Sequence, residues 1–88
     1  MKGIITVLGK DKVGIIAQVC SFLSERQVNI LDISQTIVQG FFSMLMIVDM
    51  SAGADFTQIA EGLRGLGEGM GLEIKLQRED IFESMHRI

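Results

Sequence analysis

Apolar residues recur along this chain with two different periods, and the order of those periods limits the fold more than any other feature. Alternating or continuous short apolar runs favour strands, whereas apolar residues spaced three and four apart favour amphipathic helices. Taken in chain order, the runs predict strand, helix, strand, strand, helix and strand. This order suits an antiparallel four-stranded sheet with both helices on one face.

The first strand and the first helix account for the N-terminal third of the chain. Residues 2–8 (KGIITVL) are apolar on both parities, which predicts a strand that lies centrally in the sheet or is covered on both faces. Residues 9–12 (GKDK) interrupt the pattern. Residues 13–27 then return to helical spacing, so we predict the first helix there.

This first helix carries two apolar stripes on a helical projection. One sector comprises Val13, Ile16, Ala17, Cys20 and Leu23. The neighbouring stripe comprises Ile15, Val19 and Phe22. One face of a sheet needs only the first sector, so the second stripe predicts a contact with another subunit. A deeply seated helix explains the same pattern equally well.

A hairpin follows the first helix. Residues 29–38 (NILDISQTIV) alternate between apolar and polar side chains and predict a half-buried second strand. Gln39 and Gly40 favour a tight reversal, and residues 41–50 (FFSMLMIVDM) predict a third strand. Methionines at alternate positions of this strand favour core packing. They are Met44, Met46 and Met50.

The remaining segments predict a second helix, a fourth strand and a short tail helix. Asp55 or the small residues before it can begin the helix, whose interior holds four glycines that weaken it or permit close packing. Leu72, Ile74 and Leu76 alternate with polar residues as the fourth strand, and residues 80–88 form an amphipathic tail. We therefore expect one domain over residues 1–88, with its core in residues 2–78. Right-handed crossovers make it an α+β, ferredoxin-like βαββαβ sandwich with strand order 4-1-3-2.

Composition restricts the classes of function. The chain is 48% hydrophobic, which is too apolar for disorder, and its net charge of −3 disfavours nucleic-acid binding. No apolar run approaches a membrane span and no signal peptide is evident, so we expect no membrane partner and a cytoplasmic location. We expect no metal and no cofactor, because Cys, His, Asp and Glu show no metal-ligand spacing. A domain of 88 residues is marginally stable alone, so an oligomer is expected.

The loop between the first strand and the first helix is the most informative segment for function. Its sequence, GKDKVGII over residues 9–16, leads onto a helix N-terminus, where free backbone N–H groups attract a carboxylate or phosphate. Asp11 can pair with a ligand ammonium, so the loop suits an amino acid. The alternative is that Asp11 only caps the helix and Gly14 only permits close packing. Ile15 and Ile16 stand where a phosphate loop needs Lys and Ser or Thr, which excludes a nucleoside triphosphatase.

These residues resemble a known family. The pattern Gly9-x-Asp11-x-x-Gly14-Ile15 after a strand, with Asn29 and Ile30 entering the second strand, is similar to the ACT-domain signature. The segments 32–35 (DISQ) and 81–88 (IFESMHRI) resemble those of small stand-alone bacterial ACT proteins. The similarity extends to the ACT repeats of the glycine-cleavage transcriptional repressor. The resemblance implies a regulatory fold that binds amino acids or other small metabolites between paired domains. It implies these ligand-binding residues: Asp11, Lys12, Val13, Gly14 and Ile15 on one side, and Asn29, Ile30 and Asp32 on the other.

The leading hypothesis is therefore a ligand-responsive regulatory homodimer whose output passes through a partner protein in trans. The alternative is a structural dimerisation module that binds no ligand. We expect no enzyme, since no base and nucleophile pair is recognisable. The predicted dimer interface comprises Ile15, Val19 and Phe22 of the first helix together with the adjacent edge of the second strand. Phe82 and Met85 of the tail are the second candidate contact.

Overall fold

The computed structural model describes residues 1–80, which form four strands and two helices. The elements are β1 (Lys2–Lys10), α1 (Ile15–Glu25), β2 (Asn29–Val38), β3 (Phe41–Asp49), α2 (Phe56–Met70) and β4 (Leu72–Arg78). The predicted tail helix, with Phe82 and Met85, falls on residues 81–88 and lies outside the described residues. Neither of the two helices is long and apolar enough to cross a membrane.

The four strands form one antiparallel sheet in the order β2-β3-β1-β4. Read from the opposite edge, this is the predicted order 4-1-3-2, so the ferredoxin-like α+β prediction is confirmed. β1 is central, as its two apolar parities indicated. Its residue Ile5 faces Met46 of β3 on one side and Leu76 of β4 on the other.

A two-residue reversal joins β2 to β3. Gln39 and Gly40 both have positive φ angles, 52° and 81°, as the turns that match strand twist require. The Gly40 carbonyl oxygen accepts a hydrogen bond from the backbone N–H of Asp11 at 2.8 Å. The hairpin is thereby connected to the loop between β1 and α1.

The core lies between the sheet and the helices. Side chains of β1, β3 and β4 that point to the helices are buried. On β3 these are Phe42, Met44, Met46 and Val48, with Met50 directly after the strand. The three methionines are at most 2% exposed, which confirms their predicted packing role.

Helix α1 presents a different stripe to this core than the one predicted. Ile15, Val19 and Leu23 are 2%, 0% and 0% exposed, so the prediction that Ile15 and Val19 form a free stripe for another subunit is wrong. Val13 precedes the helix and is fully exposed. Both stripes are apolar, so hydropathy does not choose between them, and the helix begins at Ile15, two residues later than predicted.

Phe22, the third member of that stripe, is partly buried against the core. The Arg26 guanidinium lies 3.6 Å from the centroid of its ring. The tip of the Phe22 ring points at α2, where a Cβ added at Gly62 would lie 2.5 Å from the ring atom Cζ. Phe22 therefore packs between the two helices, and its predicted role in a dimer interface stays a prediction.

Strand β2 is far more exposed than the predicted half-buried strand. Only Ile30 is partly buried, while Ile33, Ile37 and Val38 are 41%, 55% and 59% exposed. Ile33 and Ile37 pair with Met46 and Phe42, so they share the face that carries the helices. They are exposed because β2 is an edge strand and neither helix extends over it.

The glycines of α2 fall into two groups. A Cβ on Gly67 would lie 2.8 Å from the carbonyl oxygen of Leu72 and 2.9 Å from Cγ1 of Ile74, so the helix approaches β4 closely there. Gly65 and Gly69 have no atom within 4 Å of such a Cβ. Packing against β4 therefore explains the glycine at position 67, but it explains neither Gly65 nor Gly69.

We expect Gly67→Ala and Gly65→Ala to change stability in opposite directions. At Gly67 the new methyl meets backbone, and overpacking of this kind costs about 1–3 kcal/mol. Gly65→Ala is the matched control in the same helix and should raise the free energy of unfolding by about 0.5–1 kcal/mol. Urea denaturation of both variants measures the difference. Equal stabilisation by the two alanines would contradict the close approach of α2 to β4.

Candidate functional site

The loop between β1 and α1 is held in place by its backbone. The N–H of Asp11 donates to Gly40, and Gly14 has a left-handed conformation (φ 90°, ψ 4°) directly before the helix. A residue with a side chain adopts this conformation only at a cost, so glycine suits the position. The first turn of α1 consequently begins beside the hairpin between β2 and β3.

The N-terminus of α1 has no side-chain cap. Gly14 occupies the cap position, and its carbonyl oxygen accepts from the N–H of Gln18 at 2.9 Å. No side chain among residues 1–80 accepts from the N–H groups of the first helical turn, which Ile15 begins. The alternative in which Asp11 caps the helix is therefore wrong. The helix start keeps free donors with partial positive charge.

A cleft of about 280 Å³ opens between the start of α1 and the hairpin end of β2. Its lining residues are Asp11, Lys12, Gly14, Ile15, Ile16, Ala17, Gln35, Ile37 and Phe42. Asp11 and Lys12 are exposed, and neither forms an ion pair with another residue in the described part of the chain. One unpaired negative and one unpaired positive side chain thus border a mostly apolar cleft.

The structure brings only one half of the predicted site together. Asp11, Lys12, Gly14 and Ile15 line the cleft, whereas Val13 does not. Of the other predicted half, Asn29 and Ile30 lie at the opposite end of β2, with Asn29 eight residues, or about 26 Å at the rise of a strand, from Ile37. Asp32 is nearer along the strand but does not line the cleft.

At that opposite end, Asn29 and Ile30 line a second cleft of about 470 Å³. Its other lining residues are Cys20, Ser24, Gln27 and Val28. The side-chain oxygen Oδ1 of Asp32 accepts a hydrogen bond from the backbone N–H of the next residue, Ile33, at 2.9 Å. A single chain therefore does not combine the two predicted halves.

Sequence reasoning missed the β2 side of the first cleft. Gln35 and Ile37 share the parity that faces the helices, and the hairpin turn places them next to the loop. The alternation that puts Gln35 and Ile37 on the same face of β2 was visible in the sequence. The rotation of α1, which turns Ile16 and Ala17 towards the cleft, was not.

A βαββαβ domain with this strand order, and a cleft beside its first strand-to-helix loop, is a small ferredoxin-like module. A sequence model of the ACT domain family matches residues 3–77. The chain therefore belongs to the ACT domain family. Domains of this family are generally regulatory small-molecule-binding modules.

Full-length relatives are found in bacteria and archaea. A UPF0237 protein of Bifidobacterium longum is 56% identical over 88 residues, covering 99% of this chain and 98% of the relative. A UPF0237 protein of Methanocaldococcus jannaschii is 45% identical over 86 residues, covering 97% and 96%. The chain thus matches small proteins over nearly their whole length.

Solved structures support the same fold. An ACT domain protein from Streptococcus pneumoniae has a TM-score of 0.84 and 41% identity, with 94% of each chain covered. A protein described as a glycine cleavage system transcriptional repressor has a TM-score of 0.78 and 24% identity, covering 86% of this chain and 44% of that one. The second likeness confirms the predicted structural similarity and shows the fold alone.

We expect Asp11→Ala to leave the free energy of unfolding within about 0.5 kcal/mol of the parent value, because Asp11 neither caps α1 nor forms an ion pair. The matched control is Asp55→Ala at the start of α2. The Asp55 carboxylate accepts from the N–H of Gln58 at 3.1 Å, so losing it should cost about 1 kcal/mol. Thermal unfolding followed by circular dichroism compares the two. A cost at Asp11 equal to that at Asp55 would restore the capping role.

Proposed function

We propose that this protein is a regulatory module that binds an α-amino acid as a homodimer and passes the signal to a partner protein in trans. The observation that carries the proposal is the charge arrangement of the cleft between α1 and β2. We propose no catalytic role, since the cleft is lined by no nucleophile with a neighbouring base. The cytoplasm remains the expected compartment.

An α-amino acid matches the cleft in charge. Its ammonium group would approach the exposed carboxylate of Asp11, and its carboxylate would meet the uncapped N–H groups of the first turn of α1. The Lys12 ammonium, which lies beside Gly71, would add positive charge nearby. A simple carboxylate or a simple amine would satisfy only one side of this arrangement. The zwitterion uses both, which favours it over singly charged ligands.

Exposure of β2 supports the homodimer. Ten residues of edge strand offer unpaired backbone groups together with exposed apolar side chains, which natural proteins ordinarily cover or blunt. The apolar side chains are Leu31, Ile33, Ile37 and Val38. A second copy of this chain, paired antiparallel along β2 about a two-fold axis, would cover both.

Such pairing would also unite the two halves of the predicted ligand site. In an antiparallel pair of identical strands, the start of one strand lies beside the end of the other. Asn29 and Ile30 of the second copy would therefore arrive beside the hairpin end of β2, next to Asp11. This geometry explains why one chain keeps the two halves apart.

The alternative function is structural pairing without a ligand. It uses the same β2 surface and differs only in the cleft, which would then have no occupant. Unpaired surface charges are ordinary by themselves, but Asp11 and Lys12 border a cleft that also holds the uncapped start of α1, and this combination favours the ligand-binding function.

We expect Asp11→Asn to bind an amino acid more weakly than the parent while remaining equally stable. Losing the charge-assisted contact with the ammonium group should weaken binding about tenfold or more. Asp55→Asn, at the start of α2, is the control of equal charge change and should bind like the parent. Calorimetric titration across the amino acids measures all three. Parent protein that binds none of them at millimolar concentration would make structural pairing the leading function.

We expect Ser34→Lys to convert the dimer to a monomer. Ser34 lies near the middle of β2, where a two-fold axis sets each residue close to its own copy, so two lysines would face each other. Glu73→Lys adds a lysine to β4, the opposite edge of the sheet, and should leave the dimer intact. Light scattering gives the mass of each variant. A dimeric Ser34→Lys protein would place the interface elsewhere.

A further inference from the structure

The lining of the cleft between α1 and β2 also indicates which amino acid it holds. We infer that the ligand is an α-amino acid with an aliphatic side chain of about the size of leucine. This inference rests on the proposed function and deepens it by naming the side-chain class.

The walls that the ligand side chain would touch are mostly aliphatic. On the helix side they are formed by Ile16 and Ala17, and on the strand side by Ile37, with Gln35 as the one uncharged polar side chain. Ile16 is 37% exposed and Ile37 is 55% exposed, so both have apolar surface free for contact. Burying this surface against an aliphatic side chain is favourable in proportion to its area.

Other side-chain classes fit the lining less well. Asp11 and Lys12 are its only charged residues, and both are matched by the ammonium and carboxylate groups that every amino acid carries. A charged ligand side chain would therefore meet no further opposite charge among the residues that line the cleft. Phe42 is the one aromatic residue of the lining and is only 3% exposed, so its ring offers no face for an aromatic ligand to stack on.

The volume of the cleft in one chain suits a ligand of amino-acid size. At about 280 Å³ it lies just below the range of roughly 300–1,000 Å³ typical of sites for drug-sized molecules. Glycine would leave the aliphatic walls in contact with water. A side chain of three or four carbons would cover them.

L-Leucine and L-asparagine make the sharpest pair of probes, since their side chains have nearly the same shape and differ in polarity. We expect calorimetric titration of the parent protein to show leucine binding about tenfold more tightly than asparagine or glycine. Tighter binding of asparagine, glycine or phenylalanine would overturn the aliphatic assignment and leave the amino-acid function intact. Binding of no amino acid at millimolar concentration would overturn the proposed function together with this inference.

Two substitutions test the wall directly. Ile37→Asn places a polar group in the cleft and should reduce the preference for leucine over asparagine to about threefold or less. Leu8→Asn is the matched control, since Leu8 is 49% exposed on β1, points to the face of the sheet away from the helices and lies outside both the cleft and β2. It should keep the parent preference. Ile37→Ala, which stays apolar, should weaken leucine binding by a smaller factor, and unchanged preference in both Ile37 variants would overturn the inference.

Discussion

The two helices cover the four strands unevenly, and the rest of this structure depends on the strand that they leave open, β2. Gly67 lets α2 lie against the backbone of β4, while Ile15, Val19 and Leu23 of α1 enter the same core. The helices thus bury the facing side chains of β4, β1 and β3 and stop short of β2. An apolar edge strand and a cleft beside α1 follow from this single displacement.

The same strand therefore has two roles in the account. Its hairpin end forms one wall of the cleft through Gln35 and Ile37, and its free edge is the surface proposed to pair with a second copy. The bond from Asp11 to Gly40 links the loop at the cleft to the turn that ends β2. A ligand and a partner subunit would thus both contact β2 and the loop bonded to it. Such a shared element would allow a small module to couple ligand binding to assembly.

Much of the fold was predictable from the sequence because each helix and strand has a local sequence pattern that indicates its type. Alternation, helical spacing, the Gln39-Gly40 turn and the Asp55 cap all agree with one strand order. The rotation of α1 was not predictable, since both of its stripes are apolar and nothing local chooses between them. Exposure of β2 was mispredicted for a related reason, because alternation shows which face a side chain shares and not whether a helix reaches it. The loop residues Asp11 and Lys12 were found from sequence, whereas Ile37 needed the register of the hairpin.

Amide hydrogen exchange along β2 tests the central claim most directly, because that claim is that a second copy covers this edge. Half of the β2 amides bond to β3, and the others point away from the sheet. The account predicts that the outward amides are also protected at high protein concentration and lose that protection on dilution, when the dimer dissociates. Outward amides of β2 that exchange freely at the highest protein concentration would contradict it.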